Sequence, residues 1–176
     1  MKKIVIYVSD HGFGHAARTI ALVRQLKKYH YEIIIKNLNA YTFLKSQLPE
    51  CEIIKIQTDV GPITDVFSDS PNYEKTFSLY HNWINNSKKW LDKETKFFKN
   101  RTIDLIISDI SPISIRLANK LQIPSITVAN FTWIDILEEF PFYKNCDKII
   151  DWLHESFEMT DLAIRVPLHM KLKGLK

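Results

Sequence analysis

Apolar residues fall along this chain in short dense runs separated by longer periodic stretches. The runs cover 4–8, 32–36, 52–56, 105–108 and 125–128, all rich in Ile and Val, with a weaker one at 162–166. Several are apolar at consecutive positions instead of alternate ones, the pattern of parallel strands covered on both faces. Between them lie helical periods. Residues 15–28 set Ala16, Ile20, Val23 and Leu26 along one stripe, 41–48 form a short helix, and 114–121 and 148–159 follow later. The longest, 72–100, repeats Tyr73, Phe77, Tyr80, Ile84, Leu91 and Phe98 at threes, fours and sevens. Strand and helix alternating in this way predict an α/β fold: a doubly wound, Rossmann-like parallel sheet with helices on both faces and right-handed crossovers.

Loops are expected over 58–71, marked by Gly61-Pro62 and Ser70-Pro71, and over 130–143. The predicted domain is 1–166. Pro167 ends the last strand, and the final twelve residues carry Arg165, Lys171, Lys173 and Lys176 without an acid, so 167–176 reads as a basic exit segment or linker.

The chemistry begins where the first strand turns into the first helix. Only four glycines occur in the chain, and Gly12 and Gly14 are both in that turn. Glycine admits positive φ and close backbone approach, and the free N–H groups of the helix that follows make an anion site. The third glycine of the dinucleotide fingerprint is missing, and so is the lysine of the phosphate-binding loop. A tight turn with no ligand therefore stands beside the ligand-binding alternative. His15 sits at the helix N-terminus, where the positive dipole end favours the neutral ring. It could accept a proton from a substrate hydroxyl, or simply cap and pack. His11 lies four residues earlier, in the loop, and no further ligands for a metal are identifiable, so no metal site is expected.

A second constellation is Asp109, at the carboxyl end of the fourth strand and just before Ser111-Pro112. In the strand order 3-2-1-4-5-6, strands one and four are neighbours and ligands bind in the crevice between them. Asp109 should then face Gly12 and His15, orienting the imidazole or holding a substrate hydroxyl; the alternative is an N-cap for the next helix. The segment Asn130-Phe131-Thr132-Trp133 should overhang the same crevice, with polar groups and flat rings that would suit a sugar or an apolar tail, or else belong to the core. Trp83, Trp90 and Phe97 add a second stripe to the long helix, for core packing or a partner groove. Lys88, Lys89, Lys93, Lys96 and Lys99 form a solvated face or a basic face near a membrane.

Composition narrows the classes. The 176 residues are 45% hydrophobic and 25% charged, the profile of one globular domain with a real core. A net charge of +4 is too small to argue nucleic acid, though it suits anionic ligands or an anionic membrane face. No apolar run approaches the roughly 20 residues of a spanning helix. Cys51 and Cys146 are far apart and form no C-x-x-C, so buried reduced thiols and a cytosolic setting are expected.

Three separated motifs then carry a family likeness: GFGHAAR after the first strand, SDISPISIRLANKLQIPSITVANFTW, and DLAIRVP near the end. Together they resemble the N-terminal half of GT-B glycosyltransferases. The likeness is nearest to the glycosyltransferase-like region of plant L-arabinokinases and more distant to the bacterial N-acetylglucosaminyltransferase that makes lipid II. Asp10 departs from the glycine of the plant relatives.

The resemblance implies an acceptor-side domain facing a C-terminal domain that binds a nucleotide sugar, UDP-linked and used without a metal or other cofactor. That donor half would be a missing domain or a separate subunit. It implies His15 as general base with Asp109 beside it and places the loop glycines at Gly12 and Gly14; with Phe13, Arg18, Asn130 and Trp133 these glycines are the expected substrate-binding residues. The implied partner is a sugar or lipid-linked acceptor, in the cytoplasm or peripherally at the inner membrane face, and no nucleic acid. The alternative is a non-catalytic sugar-, phosphate- or partner-binding domain that keeps the fold.

Overall fold

A computed structural model describes residues 1–65, 70–141 and 146–176. Six strands form one sheet: β1 (Lys3–Val8), β2 (Glu32–Lys36), β3 (Glu52–Ile54), β4 (Leu105–Asp109), β5 (Ser125–Ala129) and β6 (Leu162–Arg165). Their order is β3-β2-β1-β4-β5-β6, and every neighbouring pair is parallel. The helices are α1 (Phe13–Leu26), α2 (Tyr41–Gln47), α3 (Tyr73–Phe98), α4 (Pro112–Leu121), α5 (Trp133–Leu137) and α6 (Asp147–Glu158), with a 3-10 turn, Lys27–Tyr29, after α1. The doubly wound sheet expected from the sequence is the one observed.

Side-chain alternation explains the layers. Ile4, Ile6 and Val8 of β1 pack with Ala16, Ile20 and Val23 of α1 and Leu44 of α2, while Val5 and Tyr7 pack on the other face with Phe98 of α3 and Leu117 of α4. A third cluster joins Tyr80, Trp133, Leu137, Phe140, Ile149, Leu153 and Phe157 beside it.

Two helices start earlier than the periodicity indicated. The first turn of α4 is opened by Pro112, whose fixed φ suits that position. The first turn of α1 contains Phe13 and Gly14, which the apolar period does not mark. Within the stretch expected to be loop, α5 forms because Thr132 and Asp135 make a capping box. Residues 66–69 and 142–145, including Tyr143, lie outside the described residues.

The segment expected as an exit is fastened to the domain. Leu172 is buried, its N–H and that of Lys173 donate to Asp135, and Thr132 Oγ1 donates to the Lys173 carbonyl at 3.0 Å. No helix among the described residues is long and apolar enough to cross a membrane.

Three buried polar clusters are not evident from the pattern. Asp10, in the loop after β1, accepts from the backbone N–H of Leu38 at 2.7 Å, Asn39 at 3.1 Å and Thr58 at 2.7 Å. It thus ties the carboxyl ends of three strands together, a task glycine could not perform. Beneath it, Asp59 Oδ1 accepts the Asp10 N–H at 2.8 Å and Asp59 Oδ2 accepts the Trp133 indole N–H at 3.1 Å. Burial is the main reason the Asp59 carboxyl is raised to about 7.

The third cluster lies under the sheet. Lys36 is fully buried at the end of β2 and donates to Glu94 at 2.6 Å, which also accepts the Tyr7 hydroxyl at 2.5 Å. The ammonium sits 3.7 Å from the Phe97 ring centre.

Removing one partner of a buried pair leaves an uncompensated charge. Lys36→Met should therefore cost about 3–5 kcal/mol in urea unfolding, with most recovered when Glu94→Gln is added.

Asp59 makes stability depend on pH. The folded carboxyl holds its proton up to about 7, against an ordinary 3.8. Between those values the folded state binds more protons than the unfolded one, so stability is full at low pH and is lost as pH rises. From pH 5 to pH 8 the loss should be about 2–3 kcal/mol. In Asp59→Asn that component should vanish whatever the absolute stability, as urea titrations at the two pH values would measure.

Candidate functional site

The site forms at the carboxyl edge of the sheet, between β1 and β4, where Val8 and Asp109 are register partners. Gly12, at φ +82°, is the N-cap of α1, so the chain can leave the strand and enter the helix within four residues. An added Cβ on Gly14 would meet nothing within 4 Å, so protein packing does not require glycine there.

Helical spacing places His15, Arg18 and Thr19 on one face at i, i+3 and i+4, aimed at β4, while Ala16, Ile20 and Val23 face the core. All three reach Asp109, which is 2% exposed. His15 Nδ1 lies 2.8 Å from Asp109 Oδ1. Arg18 Nε donates to Oδ2 at 3.1 Å, and its Nη2 donates to Oδ1. Thr19 Oγ1 is 3.4 Å from Oδ2. The other arm of Arg18, Nη1, donates to Asn130 Oδ1 at 2.8 Å, which joins α1 to the end of β5.

These contacts decide the histidine tautomer. Arg18 Nη2 is also 3.2 Å from His15 Nδ1, but a guanidinium only donates and an ionised carboxylate only accepts. The paired carboxylate at 2.8 Å therefore takes the Nδ1–H, and in the neutral ring Nε2 keeps a lone pair. The ring lines a cavity of about 430 Å³ with His11, Gly14, Arg18, Asn130 and Phe131. Phe131 meets it edge-on, with ring centres 5.6 Å apart.

The turn holding Asp109 is unusual. Ile110, next in sequence, has φ +50°, a costly conformation for a β-branched residue. Ser108 and Ser111 hold it: Ser108 Oγ donates to the Ser111 carbonyl at 2.9 Å and accepts the Ser111 N–H at 2.9 Å. The N-cap position of α4 belongs to Ser111, so Asp109 is not that cap.

The other expected residues divide. Gly12 and Phe13 are exposed and outside the cavity lining; Phe13 is 62% exposed and contacts Phe43 edge-on. Arg18 and Asn130 line the cavity; the guanidinium is engaged by Asp109 and by Asn130 Oδ1, which accepts from it and leaves the Asn130 amide N–H groups facing no hydrogen-bond partner among the described residues. Trp133 corrects the expectation of a flat contact surface. It is 1% exposed, and its N–H is committed to Asp59, so it packs beneath the site.

His11, read in the sequence only as a loop histidine without partners for a metal, lines the same cavity. It packs edge-on to Trp133 at 5.3 Å, and burial followed by the proximity of His15 holds its pKa below the ordinary histidine range. Its place in the glycine loop was the available signal.

Comparison with known proteins bears on the fold and the family. The chain is 26% identical over 169 residues to L-arabinokinase of Arabidopsis thaliana, covering 92% of this chain and 16% of that protein. Among solved structures it is similar to MurG of Acinetobacter baumannii, with a TM-score of 0.56 at 12% identity, covering 98% of this chain and 45% of the other. Similar too is UGT89C1 of Arabidopsis thaliana complexed with UDP, with a TM-score of 0.59 at 11% identity and coverage of 93% and 45%. The chain thus spans about a sixth of the plant kinase and under half of these two structures, and its fold is that of an N-terminal GT-B half. A family model described as glycosyl transferase family 1 matches residues 2–149, and the chain belongs to that family.

Proposed function

We propose that this chain is the acceptor-side half of a glycosyltransferase, in which His15 takes the proton of an acceptor hydroxyl. The observation that carries this reading is the Nδ1 contact of 2.8 Å to Asp109, which directs the ring proton away from Nε2 in the neutral imidazole. A carboxylate behind a histidine fixes its tautomer and stabilises the imidazolium that forms when the base accepts a proton.

The acceptor oxygen forms a bond to the anomeric carbon of a nucleotide sugar. The bond from that carbon to the phosphate oxygen breaks, and the nucleoside diphosphate leaves with the electron pair. The acceptor proton goes to His15 Nε2. Arg18 is a positioning residue: it holds Asp109 and Asn130 in place and keeps the carboxylate paired in its buried setting. The donor is assigned to a second domain or subunit, as in a full GT-B architecture. Gly12, Phe13 and Gly14 would form the acceptor-side rim, and a cytoplasmic setting supplies nucleotide sugars.

In the intact protein with its donor half, His15→Ala should lower kcat by about 10²–10⁴-fold, the usual contribution of a general base. The KM for the nucleotide sugar should stay nearly constant, since that substrate binds elsewhere. Steady-state transfer kinetics measure both; an unchanged kcat would remove the general-base role. Tight binding of a UDP-sugar by residues 1–176 alone would contradict donor binding on a second half.

A further inference from the structure

Beyond His15 the crevice continues into a smaller cavity of about 170 Å³. Its polar wall is Asp10, His11, Asn39, Gln57 and Asp59, and its apolar wall includes Val60, Pro62, Ile63 and Leu79. His11 lines both cavities and so forms the partition between them. That ring has little freedom: a Cβ on Gly61 would fall 2.5 Å from its Nδ1.

The polar wall presents acceptors beside the second N–H of each side-chain amide. Asn39 donates its amide N–H to the Asp10 carbonyl at 2.9 Å, and Gln57 donates its own to the Asp59 carbonyl at 3.2 Å. Each keeps a side-chain oxygen without a hydrogen bond among the described residues. The His11 ring, held towards its neutral form by burial, adds another lone pair.

Neither acid supplies a free charge: the Asp59 carboxyl is raised to about 7 by burial. Asp10 is engaged by three backbone N–H groups, and Asp59 by the Asp10 N–H and the Trp133 indole. Among the described residues no lysine or arginine lines this cavity. Such a wall offers an anion no counter-charge, lacks the unpaired carboxylate an ammonium group would need, and suits uncharged hydroxyl groups. The apolar wall offers a surface for the C–H face of a ring.

We infer that this cavity is an acceptor subsite for one neutral polyhydroxylated ring, a sugar or a cyclitol, with His11, Asn39 and Gln57 accepting its hydroxyls. The inference rests on the reading that this crevice receives the acceptor. It selects a neutral ring at this position over a phosphate group or a flat aromatic compound.

The test uses amide-resolved NMR titration of residues 1–176 with D-galactose, myo-inositol, D-glucuronate, inorganic phosphate and a flat phenol. The neutral polyols should shift the amides of 10–11, 39 and 57–63, and the two anions and the phenol should not. Gln57→Leu, with its remaining amide spectrum preserved, should weaken polyol binding about tenfold, the worth of one good hydrogen bond. Gly61→Ala, which forces the His11 ring to move, should weaken it as well, and it provides a second variant if Gln57→Leu unfolds. Equal or stronger response to phosphate, glucuronate or the phenol, or no response of these amides to either polyol, would overturn the subsite. Polyol binding that persists when His15→Ala leaves transfer unchanged would sink the general base alone.

Discussion

The Asp109 carboxylate is the constraint on which the site depends. It is buried at the end of a central strand, where an unpaired charge would be costly, and it is balanced by four side-chain donor atoms from one face of α1. Those contacts dock the N-terminal half of α1 against β4, fix the rotation of the helix, and set which nitrogen of His15 is open. Because Arg18 also reaches Asn130, the end of β5 is tied to the same centre. Fold and candidate chemistry are therefore one arrangement: the contacts that make the buried acid tolerable also orient the base.

A second acid performs the matching task on the other side of β1. Asp10 gathers the backbone of the loops after β2 and β3, and Asp59 fastens Asp10 from below while holding Trp133. Between the two carboxylate centres lies the glycine loop. Its geometry follows from supports on both flanks more than from its own short sequence.

Much of the architecture was legible in the chain. Consecutive Ile and Val residues gave away strands covered on both faces, and the alternation with helical periods led to the strand order and hence to Asp109 opposite His15. What was hidden depends on contacts distant in sequence. Lys36 looks like the polar end of a strand, but it is buried because Glu94 and Tyr7 meet it from α3 and β1. Asp10 looks like a departure from a glycine loop until the amides of Leu38, Asn39 and Thr58 arrive. Arg18 and Trp133 were expected to meet substrate from their places at the crevice; the acids that hold them, Asp109 and Asp59, lie 91 and 74 residues away. The helix α5 was missed because it is only five residues long, although Thr132 and Asp135 carried its capping signal.

The most direct measurement is the protonation pattern of the His15 ring, read by long-range ¹H–¹⁵N correlation at a pH where the imidazole is neutral. The account predicts a protonated Nδ1 and a bare Nε2, with the tautomer preference lost in Asp109→Asn. A ring carrying its proton on Nε2 would contradict it, for that nitrogen could not then receive the proton of an acceptor hydroxyl.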